Sequence, residues 1–297
     1  MTTKKIDVTQ WIAHSVMIVI SLCCLLPFVL LFTSSVTDEQ SLFQDGYQFV
    51  PKQFSLLAYE YLWAQRDLIL NAYTITIVVT LVGTCLGLFF SALLAYPLSR
   101  KETPWSNFFS FFVFFTMIFN GGLVPTYLLY THMLHVKDTI WALILPTSLL
   151  IRAFYVMIMR TYYKNSIPEE ILESAKMDGA GTFRTFFSIV MPLSTPILAT
   201  IGLFIGVDYW NDWYNGFIYL TDPDYFSIQV LLNRILFEVQ FLATADLGSS
   251  ASSAATELPS SSIRMAIAVV GVIPIMILYP FFQKYFVKGI TIGAVKG

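Results

Sequence analysis

The sequence predicts an all-α protein that crosses a lipid bilayer several times. Composition is the first reason. Of 297 residues, 56% are apolar and 12% charged, and mean hydropathy is +0.68. A soluble domain carries about 25% charged residues, so the apolar excess is too large for one soluble core and much of it must face lipid. Periodicity is the second. Six apolar stretches are each long enough to span a hydrocarbon layer of ~30 Å. Charge placement is the third, because Lys and Arg gather on one side of those stretches. The same numbers exclude disordered, collagen-like and disulfide-scaffold classes. A net charge of −2 without a basic stretch argues against a nucleic-acid partner.

The first span, Trp11–Leu31, follows Lys4 and Lys5 as a secretion signal would. Its apolar region is too long for a signal, and no small-x-small cleavage site follows, so it reads as a retained helix. The others are Ile69–Leu94, Phe108–Tyr130, Ile140–Met159, Thr195–Leu220 and Ile263–Phe286. Each span carries a helix-disturbing or polar residue: Pro27, Asn71, Pro125, Arg152, Asp208 and Pro274, in order. Bilayers tolerate such residues where neighbouring helices or a water-filled path receive the freed polar groups. The spans therefore read as one packed bundle and a single domain over 1–297.

With the amino terminus in the cytoplasm, the inner segments hold Lys4, Lys5, Arg100, Lys101, Arg160, Lys164, Lys176, Arg184, Lys284, Lys288 and Lys296. The outer segments hold Lys52, Arg66, Lys137, Arg234 and Arg264. Basic residues favour the cytoplasmic side, so both termini are expected inside and the protein is expected in the cell membrane. Cys23, Cys24 and Cys85 lie in apolar runs without metal-ligand spacing. His14, His132 and His135 sit near membrane edges and read as interfacial residues.

Three connecting segments are long. The outer segment Thr33–Asp67 mixes polar and aromatic residues, with a short helix expected over Phe54–Trp63. The outer segment Thr221–Ser262 reads as a loop that ends in a flexible Ser/Ala/Thr run, Leu247–Ser262. The inner segment Arg160–Met191 predicts two helices, Pro168–Met177 and Phe183–Val190, joined by Asp178-Gly179-Ala180-Gly181. Pro168 suits a first turn, with Ser166 as a cap before it. Gly179 or Gly181 suits the left-handed stop. This is a helical knob offered to the cytoplasm.

Span five carries Asp208-Tyr209-Trp210-Asn211-Asp212-Trp213-Tyr214-Asn215 in its outer half. At helical spacing Asp208, Asn211, Asp212 and Asn215 share a face. Indole rings with hydrogen-bonding neighbours suit sugars, whose faces are apolar and whose edges are polar. An interfacial aromatic belt or a contact with a partner chain is the alternative for Trp210 and Trp213. Arg152, well inside span four, either pairs with an acid such as Asp208 or meets an anionic solute.

The knob reads Glu173-Ser174-Ala175, three residues, Gly179, nine residues, Ile189, one residue, Met191-Pro192. It resembles the signature loop of the permease subunits of ABC importers, EAA-x3-G-x9-I-x-LP, with Ser for the second position and Met for the Leu. Asp178-Gly179-Ala180 matches the turn common in that family. Asn71, Ala95-Tyr96-Pro97-Leu98-Ser99-Arg100, Val124-Pro125-Thr126-Tyr127, Lys137-Asp138-Thr139 and the tail Gln283–Gly297 resemble its carbohydrate-uptake branch, in particular the smaller maltose-type permease. Gly121-Gly122-Leu123-Val124-Pro125 is similar to the subgroup that handles complex or acidic oligosaccharides.

The resemblance implies a type I importer permease of six transmembrane helices that moves oligosaccharide inward by alternating access. Glu173, Ser174, Ala175, Asp178, Gly179, Ala180, Ile189 and Pro192 would then form the ATPase-coupling loop, with Gly289–Gly297 a further ATPase contact. The partners it implies are a second, different permease, a dimer of ATPase subunits and an extracytoplasmic solute-binding protein. The chain contains no Gly-Lys dipeptide and hence no phosphate loop of the Walker type. It is therefore not expected to be an enzyme or to bind a cofactor, and ATP and Mg would belong to the ATPase. A permease for a non-sugar solute stays open. An ion-driven transporter would want inverted repeats, and an intramembrane enzyme would want a nucleophile–base or metal constellation. Neither is visible.

Overall fold

The computed structural model describes residues 8–119, 121–148, 152–244 and 260–294. Among them the structure is helical, with one isolated antiparallel bridge between Thr37 and Phe54. By contacts the chain divides into two units: Met1–Arg66 with Leu232–Pro274, and Asp67–Leu231 with Ile275–Gly297.

In the first unit, α1 (Val8–Ser35) is 28 residues long, about 42 Å at 1.5 Å per residue. Its apolar side chains are exposed along its length, Trp11, Ile18 and Leu25 among them, as a lipid-facing helix requires. Two short helices follow, α2 (Glu39–Asp45) and α3 (Leu57–Ala64). The Asp38 carboxylate caps α2 by accepting from the Gln40 N–H at 3.1 Å. The helix expected over Phe54–Trp63 is α3, starting later because Phe54 is held in the bridge to Thr37.

In the second unit, α4 (Arg66–Ser99) runs 34 residues and buries Ala72, Thr76, Val79, Gly83, Gly87 and others at steps of three and four. That stripe meets α12 (Thr195–Trp210). A Cβ on Gly83 would fall 2.4 Å from the Tyr209 ring, and one on Gly87 would lie 3.3 Å from Ile205. Small residues here let two helices approach closely where no hydrophobic driving force between them exists. The Tyr209 hydroxyl donates to the Ile144 carbonyl at 2.9 Å, which ties α12 to α7 (Trp141–Ser148).

Two spans are broken rather than continuous. The third comprises α5 (Ser106–Ile118) and α6 (Leu123–Leu128), the latter running into a π turn over Leu129–Met133. Gly122, at φ +88°, opens the second piece. The fifth comprises α12 and α13 (Tyr214–Tyr219), with Asn211, Asp212 and Trp213 between them. Two helices, Gln10–Ser35 within α1 and Arg66–Ser99, are each long and apolar enough to cross a membrane, or up to four if the bent pairs Ser106–Ile118 with Leu123–Met133 and Thr182–Leu193 with Thr195–Trp210 each count as one span. The apolar run of span four covers α7 and the start of α8 (Ala153–Ser166), and residues 149–151 lie outside the described set.

The segment after span five, expected as a loop, is not a loop throughout. A 3-10 turn at Pro223–Tyr225 leads into α14, Ile228–Thr244, 17 residues long. Its apolar residues Ile228, Val230, Leu231 and Leu232 are buried. The scattered charges of this stretch masked a helix whose apolar run is short. The Ser/Ala/Thr run up to 259 lies outside the described residues. The last helix, α15 (Ser260–Ala294), contains span six. Within the first unit, its start is capped from a distance: the Glu39 carboxylate accepts from the Ser261 and Ser262 N–H groups at 2.8 and 2.9 Å. Free N–H groups at a helix start favour such an anion.

Candidate functional site

The segment after α8 folds as α9 (Glu169–Met177), α10 (Thr182–Thr185), a π turn over Phe186–Val190 and α11 (Met191–Leu193). Both expected helices are present. Glu169 and Glu170 lie in the first turn of α9 and Lys176 in the last, each favoured by the helix dipole. Pro168 sits at the N-cap, one position before the first turn, and Ser166 is the last residue of α8 rather than a cap.

The stop is at Gly179, whose φ is +77°. Its N–H and that of Ala180 close the helix end by donating to the Lys176 and Ala175 carbonyls, at 3.1 and 2.9 Å. Gly181, the other candidate, has φ −70° and begins α10. Nothing lies within 4 Å of a Cβ built on Gly179, so the turn's demand for glycine is a backbone one. Ala175 is the buried residue of α9. Glu173, Ser174 and Asp178 are exposed, while Ala180 and Ile189 are half-buried. Pro192 is exposed, and after Leu193 the chain bends by 82° into α12. Apolar side chains stand out on both sides of the turn: Met177 is 88% exposed and Phe183 70%.

The segment leans on the turn between α4 and α5. Lys101 meets Glu169 at 3.3 Å, and Lys176 meets Glu102 at 2.9 Å. The Lys176 ammonium holds the Glu102 carboxyl below its usual range and is itself raised in return. Between these pairs lies a hollow of ≈ 410 Å³ lined by Arg100, Glu173 and Thr185, among others.

In the second half of span five the expected polar face is divided by the helix break. Asp208, still in α12, accepts from Arg152 at 2.6 Å and from the Tyr155 hydroxyl. Arg152 thus has the carboxylate partner expected of it. Asp212, beyond the break, accepts from the N–H and Nδ2 of Asn215 at 3.2 and 2.6 Å, so it caps α13. Asn211 is exposed, and its Nδ2 donates back to the Val207 carbonyl. The two indoles differ. Trp210 is 6% exposed and lies 6.5 Å from the Tyr73 ring, whereas Trp213 is 40% exposed. Trp213 is therefore the one of the two indoles with exposed surface.

Two ties escaped the sequence reading. Asp138, at φ +54°, accepts from the Thr221 N–H and hydroxyl and from the Asp222 N–H. The Thr221 N–H is the main reason its carboxyl titrates below the ordinary 3.8. Asn71 donates to the Asp224 carbonyl at 2.9 Å. Asp138 and Asn71 stood out as family-like residues, but their partners, more than eighty residues away, left no local pattern. Among the described residues, no group of three His, Cys, Asp or Glu could hold a metal.

Comparison with known proteins agrees with this architecture. Residues 6–292 match the family model described as "Binding-protein-dependent transport system inner membrane component". The chain is 38% identical over 284 residues to the polygalacturonan/rhamnogalacturonan transport system permease protein YtcP of Bacillus subtilis, covering 96% of each. It is 36% identical to Protein LplC of the same organism, covering 92% of this chain and 90% of that one. Among solved structures it is similar to a bacterial ABC transporter involved in the import of the acidic polysaccharide alginate. That match has a TM-score of 0.74 at 27% identity and covers 96% of this chain and 99% of the other. A match over nearly the whole length, on a helical fold with apolar spans, places this chain in the family of inner-membrane components of binding-protein-dependent transport systems.

Proposed function

We propose that the chain is one of two different permeases of an ATP-driven importer for oligosaccharides, and that the segment around Gly179 transmits the ATPase stroke to the spans. The observation that carries the coupling role is the positive-φ turn at Gly179, which presents exposed Met177 and Phe183 at the tip of a short helix. Large apolar side chains left open on a cytoplasmic loop are typical of an interface in need of a partner. An ATPase pair would fill that need, because the chain has no phosphate loop of its own. Glu173, Ser174, Asp178 and Ala180 surround the contact, and Ile189 and Pro192 link it to α12 across the 82° bend. Closure of the ATPases on ATP and Mg would then reorient α12 against α4.

The sugar reading is supported by what two of the similar proteins above are said to carry, polygalacturonan or rhamnogalacturonan in one and alginate in the other. All three are polymers bearing carboxylates. The solute class proposed is therefore an acidic oligosaccharide, delivered from outside by a solute-binding protein. Arg152, Asp208, Trp213 and the α12–α13 break are proposed to line its path. The Lys/Arg distribution supports both termini and the Gly179 turn on the cytoplasmic side.

The test replaces Gly179 by Val in the complete transporter in vesicles. Sugar uptake should fall at least about tenfold, as loss of a 1.4 kcal/mol interaction or more predicts, with membrane expression unchanged. Uptake and substrate-stimulated ATP hydrolysis at the parental rate would remove the coupling role.

A further inference from the structure

The contact between the coupling helix and α4 has an unusual construction. Lys101 and Glu102 are adjacent in the turn that follows α4, and they carry opposite charges. Glu169 and Lys176 are seven residues apart on α9, two helical turns, and so share a face. Lys101 takes Glu169 and Glu102 takes Lys176. The charge order on the turn and the charge order on the helix match in only one direction. Reversing the helix, or sliding it by two turns, would place like charges together.

Packing does not do this job. All four side chains are at least 61% exposed. Ala175 is the buried residue on α9, and the ≈ 410 Å³ hollow separates much of the helix from the end of α4. Arg100, beside the hollow, is committed elsewhere: it lies over the Tyr96 ring and donates to the Tyr163 carbonyl. The helix is thus held at its two ends by exposed charges, with open space beneath its middle.

We propose that Lys101, Glu102, Glu169 and Lys176 form a two-point electrostatic clamp that sets the angle and register of the coupling helix on α4, and so the efficiency with which ATPase movement reaches the spans. These are positioning residues. Exposed ion pairs are weak, which suits a tie that must yield and reform in every transport cycle. A packed apolar contact would be harder to tilt. This inference rests on the coupling role proposed for the Gly179 segment.

The experiment uses the complete transporter in vesicles, with uptake, substrate-stimulated ATP hydrolysis and ATPase co-purification measured together. Lys101→Glu sets two acids against each other, as does Lys176→Glu. Each should lower the uptake obtained per ATP hydrolysed by roughly two- to fivefold while the ATPase still co-purifies. The exchanged pairs, Lys101→Glu with Glu169→Lys and Glu102→Lys with Lys176→Glu, should regain most of that ratio. A purely structural loss would lower expression and would not be repaired by exchange. Single reversals with an unchanged ratio, or exchanges no better than the singles, would overturn the clamp. Gly179→Val, run alongside, separates the two ideas: if it uncouples and the clamp variants do not, the clamp fails and the coupling role stands.

Discussion

The Gly179 segment and the second half of span five hold their shapes by opposite means. Around Gly179 the structure rests on a backbone turn, two exposed ion pairs and apolar side chains left open. Around Asp208 and Gly216 it rests on close packing and polar groups satisfied within the chain. A Cβ on Gly216 would fall 2.2 Å from Val230 Cγ2 and 3.3 Å from Leu143 Cδ2. Asp208 has two donors, and Asp212 is used up in capping α13. The first region is built to be completed and moved by something else. The second is fixed by its own neighbours. Substitutions should therefore separate the regions: stability should suffer in the second, and coupling in the first.

The sharpest way to break this contrast is Gly216→Ala. The added methyl overlaps Val230, and overpacking of this kind costs about 1–3 kcal/mol. The expected outcome is a lower melting temperature of the detergent-purified complex, partly restored by adding Val230→Ala. A melting temperature equal to the parent's would mean that α13 is free to shift and that this region is not rigid.

Next in size is the Arg152–Asp208 pair. Both side chains are part-exposed, so its contribution is discounted to about 1 kcal/mol. Arg152→Met leaves Asp208 with Tyr155 alone, and Asp208→Met leaves the guanidinium without its carboxylate. Each should reduce uptake, and the double variant should lose less than the two single losses combined. Strict additivity in a double-mutant cycle would show that the pair does not act as a unit.

Gly179 should respond more gently in stability than in transport. Valine, stiff at its β-branch, is poorly suited to φ +77° and should cost about 1 kcal/mol or more. Asn, which tolerates left-handed backbone, should keep most of the coupling. Equal loss in the two variants would point to a contact at that position instead of a backbone demand.

The smallest effect expected is at Asp138. Its carboxylate is stabilised as the anion by the Thr221 N–H above all. A carboxyl whose pKa is lowered in the folded state adds stability above its unfolded value, near 3.8, and loses it as pH falls through the lower folded value. Asp138→Asn should therefore reduce stability slightly at neutral pH, on the order of 0.5 kcal/mol. The difference from the parent should vanish in strongly acidic medium. A gap that widens on acidification would contradict the hydrogen-bonded anion.

How much of this could be read in advance followed the range of the interactions. The knob was legible because its signals are local: Pro168 before α9, Gly179 after it, and charges of the right sign at each end. Its fixed spacing made the family recognisable as well. The Arg152–Asp208 contact was foreseeable because an arginine inside a span needs an acid. The continuous polar face of span five was not correct, since periodicity assumes an unbroken helix and the chain breaks at Asn211–Trp213. Trp210 and Trp213 looked equivalent for the same reason. Helix α14 was missed because the segment mixes short apolar runs with charges. The clamp, the Glu39 cap on α15 and the Asp138 tie join residues too far apart for any window along the chain to show them.

The most direct test of the coupling role compares the two regions by proximity. In a background without Cys23, Cys24 and Cys85, single cysteines are placed as Met177→Cys, Phe183→Cys and Trp213→Cys in the assembled transporter, and a short thiol–amine cross-linker is added to permeabilised membranes. The ATPase subunit should be captured from positions 177 and 183 and not from 213, with ATP altering the yield. Capture from 213, or none from either loop position in a transporter that still pumps, would contradict the assignment of the Gly179 segment as the ATPase contact.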